Sequence, residues 1–165
     1  MKKFEFTGET KELFGVVFKR IKALIRINIG YKYVEIGELG GWLEKEENLS
    51  HDGNAWVSGN ALVSDDAWVF GNARVSDDVW VFGNAWVSDD AWVFGNARVS
   101  DDARVFGNAR VSGNALVSDD ARVFGNAWVS GNARVSGNAR VSGNARVSDD
   151  AWVSDDAWEN VSMKK

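Results

Sequence analysis

SGNARVSGNARVSGNARVS, residues 130–148, states one six-residue unit three times without a change. In Ala-Arg-Val the side chains alternate, so Ala and Val share one face and Arg takes the other. That is the pattern of a very short strand. Gly-Asn then supplies a corner, because Gly and Asn tolerate positive φ. Working outward, the unit runs from Gly53 to Asn160 as eighteen consecutive hexads. The fourth position varies among Trp, Arg and Leu, and the corner pair is Gly-Asn or Asp-Asp. Val79 replaces Ala once, a slight overpacking, and Glu159 takes the place of the last Val. A three-residue strand cannot bury its face alone, but identical rungs stacked on one another can.

The order aliphatic, three variable residues, small, variable, as in Val57-Ser58-Gly59-Asn60-Ala61-Leu62, resembles the hexapeptide-repeat proteins of the trimeric LpxA-like superfamily. The resemblance covers residues 53–158. It implies an all-β fold, a left-handed parallel β-helix of triangular section with three hexads per coil and about six coils. At about 4.8 Å per coil such a prism is about 29 Å long. Ala23-Leu24-Ile25, Gly40-Gly41-Trp42 and Leu49-Ser50 resemble the N-terminus of YdcK-like bacterial β-helix proteins. That resemblance implies an N-terminal β-rich cap and supplies no activity.

The expected organisation is a cap over residues 1–50, the hexapeptide-repeat β-helix over 51–160 and a C-terminal tail over 161–165. Within the cap, Ile21, Ala23, Ile25, Ile27 and Ile29 alternate along IKALIRINI, as in a strand. Leu13, Val16, Val17, Ile21 and Leu24 also fit a helical stripe, but Gly15 and the β-branched residues favour strands. The spacings Leu49 to Val57 and Val153 to Val161 are eight residues instead of six. Both look like places where the open end of a solenoid is covered.

Composition narrows the function classes. The chain has no cysteine and no proline, so there is no disulfide framework and no thiolate zinc site. The first residues lack an apolar signal region, and no apolar run is long enough to span a membrane. These features set the expectation of a cytoplasmic protein without a membrane partner. Residues 51–160 hold eight Arg against fifteen Asp and one Glu. That acidic surplus argues against a nucleic-acid partner.

With three hexads per coil, every third hexad shares a face. One face then carries the ladder Trp56, Arg74, Trp92, Arg110, Trp128, Arg146. Guanidinium over indole stabilises such rungs by about 0.5–1 kcal/mol per exposed contact. A second carries Leu62, Trp80, Arg98, Leu116, Arg134 and Trp152. The third carries Trp68, Trp86, Arg104, Arg122, Arg140 and Trp158, with Phe70, Phe106 and Phe124 beside it. Eight outward Trp are many for a monomer, and Trp and Arg are favoured interface anchors. The candidate interaction face is therefore Trp68, Phe70, Trp86, Arg104, Phe106, Arg122 and Phe124, and the expected partner is a second copy of this chain or another protein.

Candidate chemistry is sparse. The resemblance brings in γ-class carbonic anhydrases, which need three histidines for zinc, and acyltransferases, which use a histidine base. This chain has only His51, in the lead-in turn LSHDGN. Asp52 could orient it as a base, and a surface turn histidine is the plainer reading. Asp101, Asp102, Asp119 and Asp120 should stack on adjacent rungs of one corner and are the candidate Ca²⁺ ligands. Arg104 and Arg122 stand close enough in sequence to neutralise them, which makes solvated turn residues the plainer reading. No phosphate-binding glycine loop is present and no cofactor is expected. The expectation is a non-enzymatic, self-associating scaffold. The alternatives are a hexapeptide-type acyltransferase, degenerate or not, and a glycan-binding module on the Trp ladders.

Overall fold

The computed structural model describes residues 1–159 and the backbone of Met163 and Lys164. Residues 160–162 and 165, and with them Val161 and most of the expected tail, lie outside the described residues.

From Trp56 onward each Ala-x-Val forms a strand of two residues, three at Arg146–Ser148, that pairs in parallel with the strand eighteen residues away. Arg98 stands opposite Trp80 on one side and Leu116 on the other, and Val99 likewise opposite Val81 and Val117. This register makes three faces. Face one contains Trp56, face two Leu62 and face three Trp68. Every inward Ala from Ala55 to Ala151 and every Val from Val57 to Val153 is buried, and Val79 is accommodated without exposure. Successive coils are joined by bonds such as Arg98 N–H to Ala115 O at 2.9 Å and Ser100 N–H to Val117 O at 3.0 Å. The backbone polar groups thus pair along the axis, leaving the Val and Ala side chains to fill the centre.

The corners explain the Gly-Asn/Asp-Asp alternation. The first corner residue has positive φ whether it is Gly or Asp, for example 68° at Gly113 and 60° at Asp101. Where it is Asp, its carboxylate accepts the N–H of the residue above. Asp65 takes Gly83 N–H at 3.0 Å and Asp77 takes Gly95 N–H at 2.9 Å. The second corner residue forms an amide ladder. Asn60 donates to Asp78 and Asn114 to Asn132, each at 3.0 Å. Asn and Asp at these positions therefore satisfy the corner and also tie one coil to the next.

The solenoid starts earlier than the hexads do. Strands β1 (Phe4–Leu13), β2 (Val16–Ala23) and β5 (Leu39–Leu43) extend face two: β1 pairs antiparallel with β2, β2 antiparallel with β5, and β5 parallel with the Leu62 rung. Strands β3 (Ile27–Asn28) and β4 (Tyr33–Val34) form a separate small hairpin. Leu49 bridges to Val69 on face three. At the far end Val147 and Ser148 pair with Met163 and Lys164. Each face thus carries about seven rungs, where the hexads alone account for about six. The residues before Ala23 are strands, as the β-branched pattern indicates, and the expected IKALIRINI strand breaks after Ala23. Phe4, Ile21, Ala23 and Ile27 join the same core as the repeats.

Candidate functional site

The N-terminal segment treats the three faces unequally. Phe14 stacks on Trp80 of face two at 5.2 Å. Tyr31 stacks on Trp92 of face one at 6.0 Å, and Trp56 is buried there. Among the described residues face three receives no such ring from this segment. It is bordered instead by a short 3₁₀ turn, Glu46–Asn48. Between that turn and the first rungs lies an open cavity of about 580 Å³. Trp68 and Trp86 form its walls and Leu49, Ser50 and Ala67 its floor. Lys45, Glu46, Glu47, His51 and Asp66 surround it.

His51 and the aromatic pair, far apart in sequence, thus meet at one place. The histidine is heavily engaged. Its Nδ1 accepts the Lys3 N–H at 3.1 Å, and its Nε2 lies 2.7 Å from Glu46 Oε1. A main-chain N–H can only donate, so the neutral ring carries its proton on Nε2 and donates it to Glu46. Phe4 stacks on the imidazole at 4.4 Å. Neither nitrogen is left to take a proton from a substrate. Glu46 also pairs with Lys2 at 2.9 Å. Lys2, and then His51, hold its carboxyl below the usual carboxylate range. Across the rim Lys45 bonds Asp66 at 2.6 Å, and this raises the Lys45 pKa.

Indole N–H groups divide the Trp residues into two sets, and the buried Nε1 of Trp56 on face one belongs with those that lack an acceptor. Trp80, Trp92, Trp128, Trp152 and Trp158 each donate Nε1–H to the Ser sixteen residues earlier, at 3.0–3.4 Å. That Ser lies two residues beyond the rung directly below. For Trp86 the position is Phe70; below Trp68, where Leu49 bridges to Val69, it is Ser50, whose Oγ accepts the Asp52 N–H at 3.1 Å. Among the described residues neither Nε1 has an acceptor. The offset of sixteen is visible in the sequence but is not a repeat period, and reading by period alone passes over it. Trp128→Phe is expected to cost about 1 kcal/mol, because it strands buried Ser112 without its donor. Trp86→Phe should cost less, a difference readable in urea midpoints.

The other candidates fall along the same faces with different contacts from those expected. Of the eight outward Trp only Trp68, Trp86, Trp152 and Trp158 are exposed. In the face-one ladder Arg74 lies 5.8 Å from the Trp92 ring and Arg146 5.8 Å from the Trp128 ring, whereas Arg110 makes no such contact among the described residues. On face three Arg104 lies 4.7 Å from the Trp86 ring, Phe70 stacks on Trp68 at 4.1 Å, and Phe106 and Phe124 stack in parallel at 4.9 Å.

Asp101 and Asp119 do stack on one corner. Asp101 accepts from Ser100 Oγ at 2.8 Å and Asp119 N–H at 3.4 Å, and Asp119 accepts from Gly137 N–H at 3.0 Å. Asp102 takes the Asn84 amide at 3.2 Å, and Asp120 stands on the rung above it. No group of three His, Asp or Glu among the described residues is placed to hold a metal. The expected neutralisation by Arg104 and Arg122 does not occur. Every ion pair among the described residues involves the N-terminal segment, and no repeat Arg has a carboxylate within 4.0 Å. The corner Asp turn their oxygens along the axis to main-chain and Asn N–H groups, and the Arg side chains stand out from the sheet. Among the described residues no helix is long and apolar enough to cross a membrane.

The repeats match the family model of the YdcK β-solenoid repeat over residues 97–113, 103–119, 109–123, 115–131, 127–142, 133–147 and 139–155. No curated protein matches the chain. Among solved structures it is similar to a Bacillus cereus protein described as an acetyltransferase, at 12% identity and a TM-score of 0.35, over 67% of this chain and 74% of that one. It is also similar to PerB from Caulobacter crescentus, solved with CoA and GDP-perosamine. The identity there is 19% and the TM-score 0.32, over 63% of this chain and 52% of that one, so the chain spans about half of that protein.

Proposed function

We propose that this chain, a β-solenoid with YdcK-type repeats, is a non-enzymatic scaffold that self-associates through the middle of face three. The observation that carries the reading is the unpaired charge there. Exposed Arg104 and Arg122 lie beside the Asp101, Asp102, Asp119 and Asp120 corner without pairing to it. An Arg row beside an Asp corner is complementary to the same surface on a second copy, and closed symmetric pairs use one patch twice. The half-buried, stacked rings of Phe106 and Phe124 supply an apolar centre for that patch. Faces one and two are less suited, because Tyr31 and Phe14 already cover Trp92 and Trp80. The N-terminal segment serves as the cap, since its apolar residues complete the first coil of the core. An acyl-transfer role would need a histidine lone pair open to a substrate, and His51 offers none.

Light scattering coupled to size exclusion tests the reading against the monomer mass of 18.2 kDa. The expected mass is a whole multiple of that value at low salt, with weaker association at high salt as the Arg–Asp contacts are screened. Phe106→Ser with Phe124→Ser should give a folded monomer. A monomer for the parent chain at every salt and protein concentration overturns the proposal.

A further inference from the structure

We infer that the cavity between the 3₁₀ turn and the first rungs of face three is a binding site for a neutral saccharide. The site belongs to one chain and goes beyond the scaffold reading, so it does not depend on self-association. Its walls are two half-exposed indoles, Trp68 at 38% and Trp86 at 39%. Both are backed from outside the cavity, Trp68 by Phe70 at 4.1 Å and Trp86 by Arg104 at 4.7 Å. The rings are thereby held in place before any ligand arrives, which lowers the entropy cost of binding.

The polar groups select the ligand class. Trp68 and Trp86 have N–H donors without protein acceptors and, unlike Trp56, whose Nε1 is buried, stand half-exposed at the cavity, whereas five other Trp residues bond Ser. The rim carries Glu46, Glu47 and Asp66, which can only accept when ionised. An anion would satisfy the indoles, but Lys2 and Lys45 are already paired with Glu46 and Asp66, which leaves it facing Glu47 with no free cation among the lining residues. A cation would satisfy the carboxylates and the ring faces but could not accept from the indoles. A hydroxyl group does both. The two indoles meet edge to face, at 89° and 6.1 Å, so they form a corner and not the parallel slot that a flat base would fill. A pyranose ring has hydroxyls around its edge and a puckered C–H face that packs on an indole. The volume of about 580 Å³ falls in the range of small-molecule sites, about 300–1,000 Å³.

The test is titration of the intact protein with maltotriose, cellotriose and N,N′,N″-triacetylchitotriose, all neutral, followed by Trp fluorescence and calorimetry up to about 10 mM, a range that captures weak binding. At least one trisaccharide should bind at one site per chain. Trp68→Ala and Trp86→Ala should each weaken it by about tenfold or more. Trp152→Ala, which removes an exposed indole on face two, should leave it unchanged. Phe70→Ser should also weaken binding, because it places a Ser where Trp86 would spend its N–H as Trp80 does. The doubly substituted Phe106→Ser, Phe124→Ser chain should bind as the parent does, which separates this site from self-association. Silence from all three sugars overturns the inference. So does tighter binding of arginine amide or adenosine at these residues, or sugar binding that survives both Trp substitutions.

Discussion

Gly113→Val is expected to destabilise the solenoid by about 3 kcal/mol or more, and Gly113→Asp by about 1 kcal/mol or less. Gly113 has φ of 68°, and an added Cβ would lie 2.8 Å from Gly131 O and 2.9 Å from Gly131 N. Valine is strained in this region by its branched Cβ, and its neighbour is backbone that cannot turn aside. Aspartate meets the same geometry with an answer already used at the corners. Its carboxylate can accept the Gly131 N–H, as Asp65 accepts that of Gly83 at 3.0 Å. On this corner Gly95 and Gly131 flank Gly113, so the new charge has no Asp on an adjacent rung. A mid-solenoid defect also weakens the interfaces with both neighbouring coils, which in a one-dimensional array carry much of the stability. Urea unfolding of the two variants measures the contrast. Equal loss in both would show that positive φ is not what restricts the corner to Gly and Asp.

The pattern of that corner was open to reading in the sequence, and so was the core. Ala and Val alternate with the outward residue in every hexad, and an eighteen-residue offset places Arg98 between Trp80 and Leu116 without further information. The beginning of the solenoid was harder to read. Trp42 and Leu49 occupy rungs, but eight residues separate Leu49 from Val57, and no period of six registers an insertion that bulges away from the core. The cavity depends on that same insertion, which is why His51 and Trp68 gave no sign in the sequence of sharing a wall. Arg–Asp neutralisation failed as an expectation for a different reason. Proximity along the chain placed Arg104 near Asp101 and Asp102, but the corner carboxylates have main-chain and amide donors to satisfy first. Exposure of the Trp ladders was overestimated because the covering rings, Phe14 and Tyr31, come from a segment with no repeat to align.

Lys3→Met is expected to raise stability by about 2 kcal/mol at neutral pH and to reduce a pH dependence that the parent chain shows. Lys3 has no exposed surface, and its ammonium reaches only Gly53 O, at 3.5 Å. Burial pushes its pKa down from 10.5 to about 8, against an opposing pull from Asp52. Below pH 8 the folded and unfolded chains both carry the proton, and the folded chain bears the full cost of burying the charge. Between pH 8 and 10.5 the unfolded chain still holds a proton that the folded chain has released, so stability rises with pH across this window. A tenfold loss of proton affinity on folding corresponds to about 1.4 kcal/mol. That makes about 3 kcal/mol a ceiling and about 2 kcal/mol a reasonable expectation after local relaxation. Methionine fills similar volume without the charge and keeps the Lys3 main-chain N–H that bonds His51. Lys45 acts in the opposite sense. Its raised pKa stabilises the fold below 10.5, and that contribution is lost only as pH climbs through the higher folded value. Denaturant midpoints at pH 7, 8.5 and 10 separate the two, since Lys45 gives no rise in that range; burial and then the Arg20 guanidinium also lower the Lys11 pKa, so the substitution removes only the larger part of the rise that Lys3 supplies. If Lys3→Met lowers stability and leaves the rise undiminished, the ammonium is held in a polar contact that offsets its burial. The strand that positions His51 and Glu46 beside the cavity would then depend on that charge.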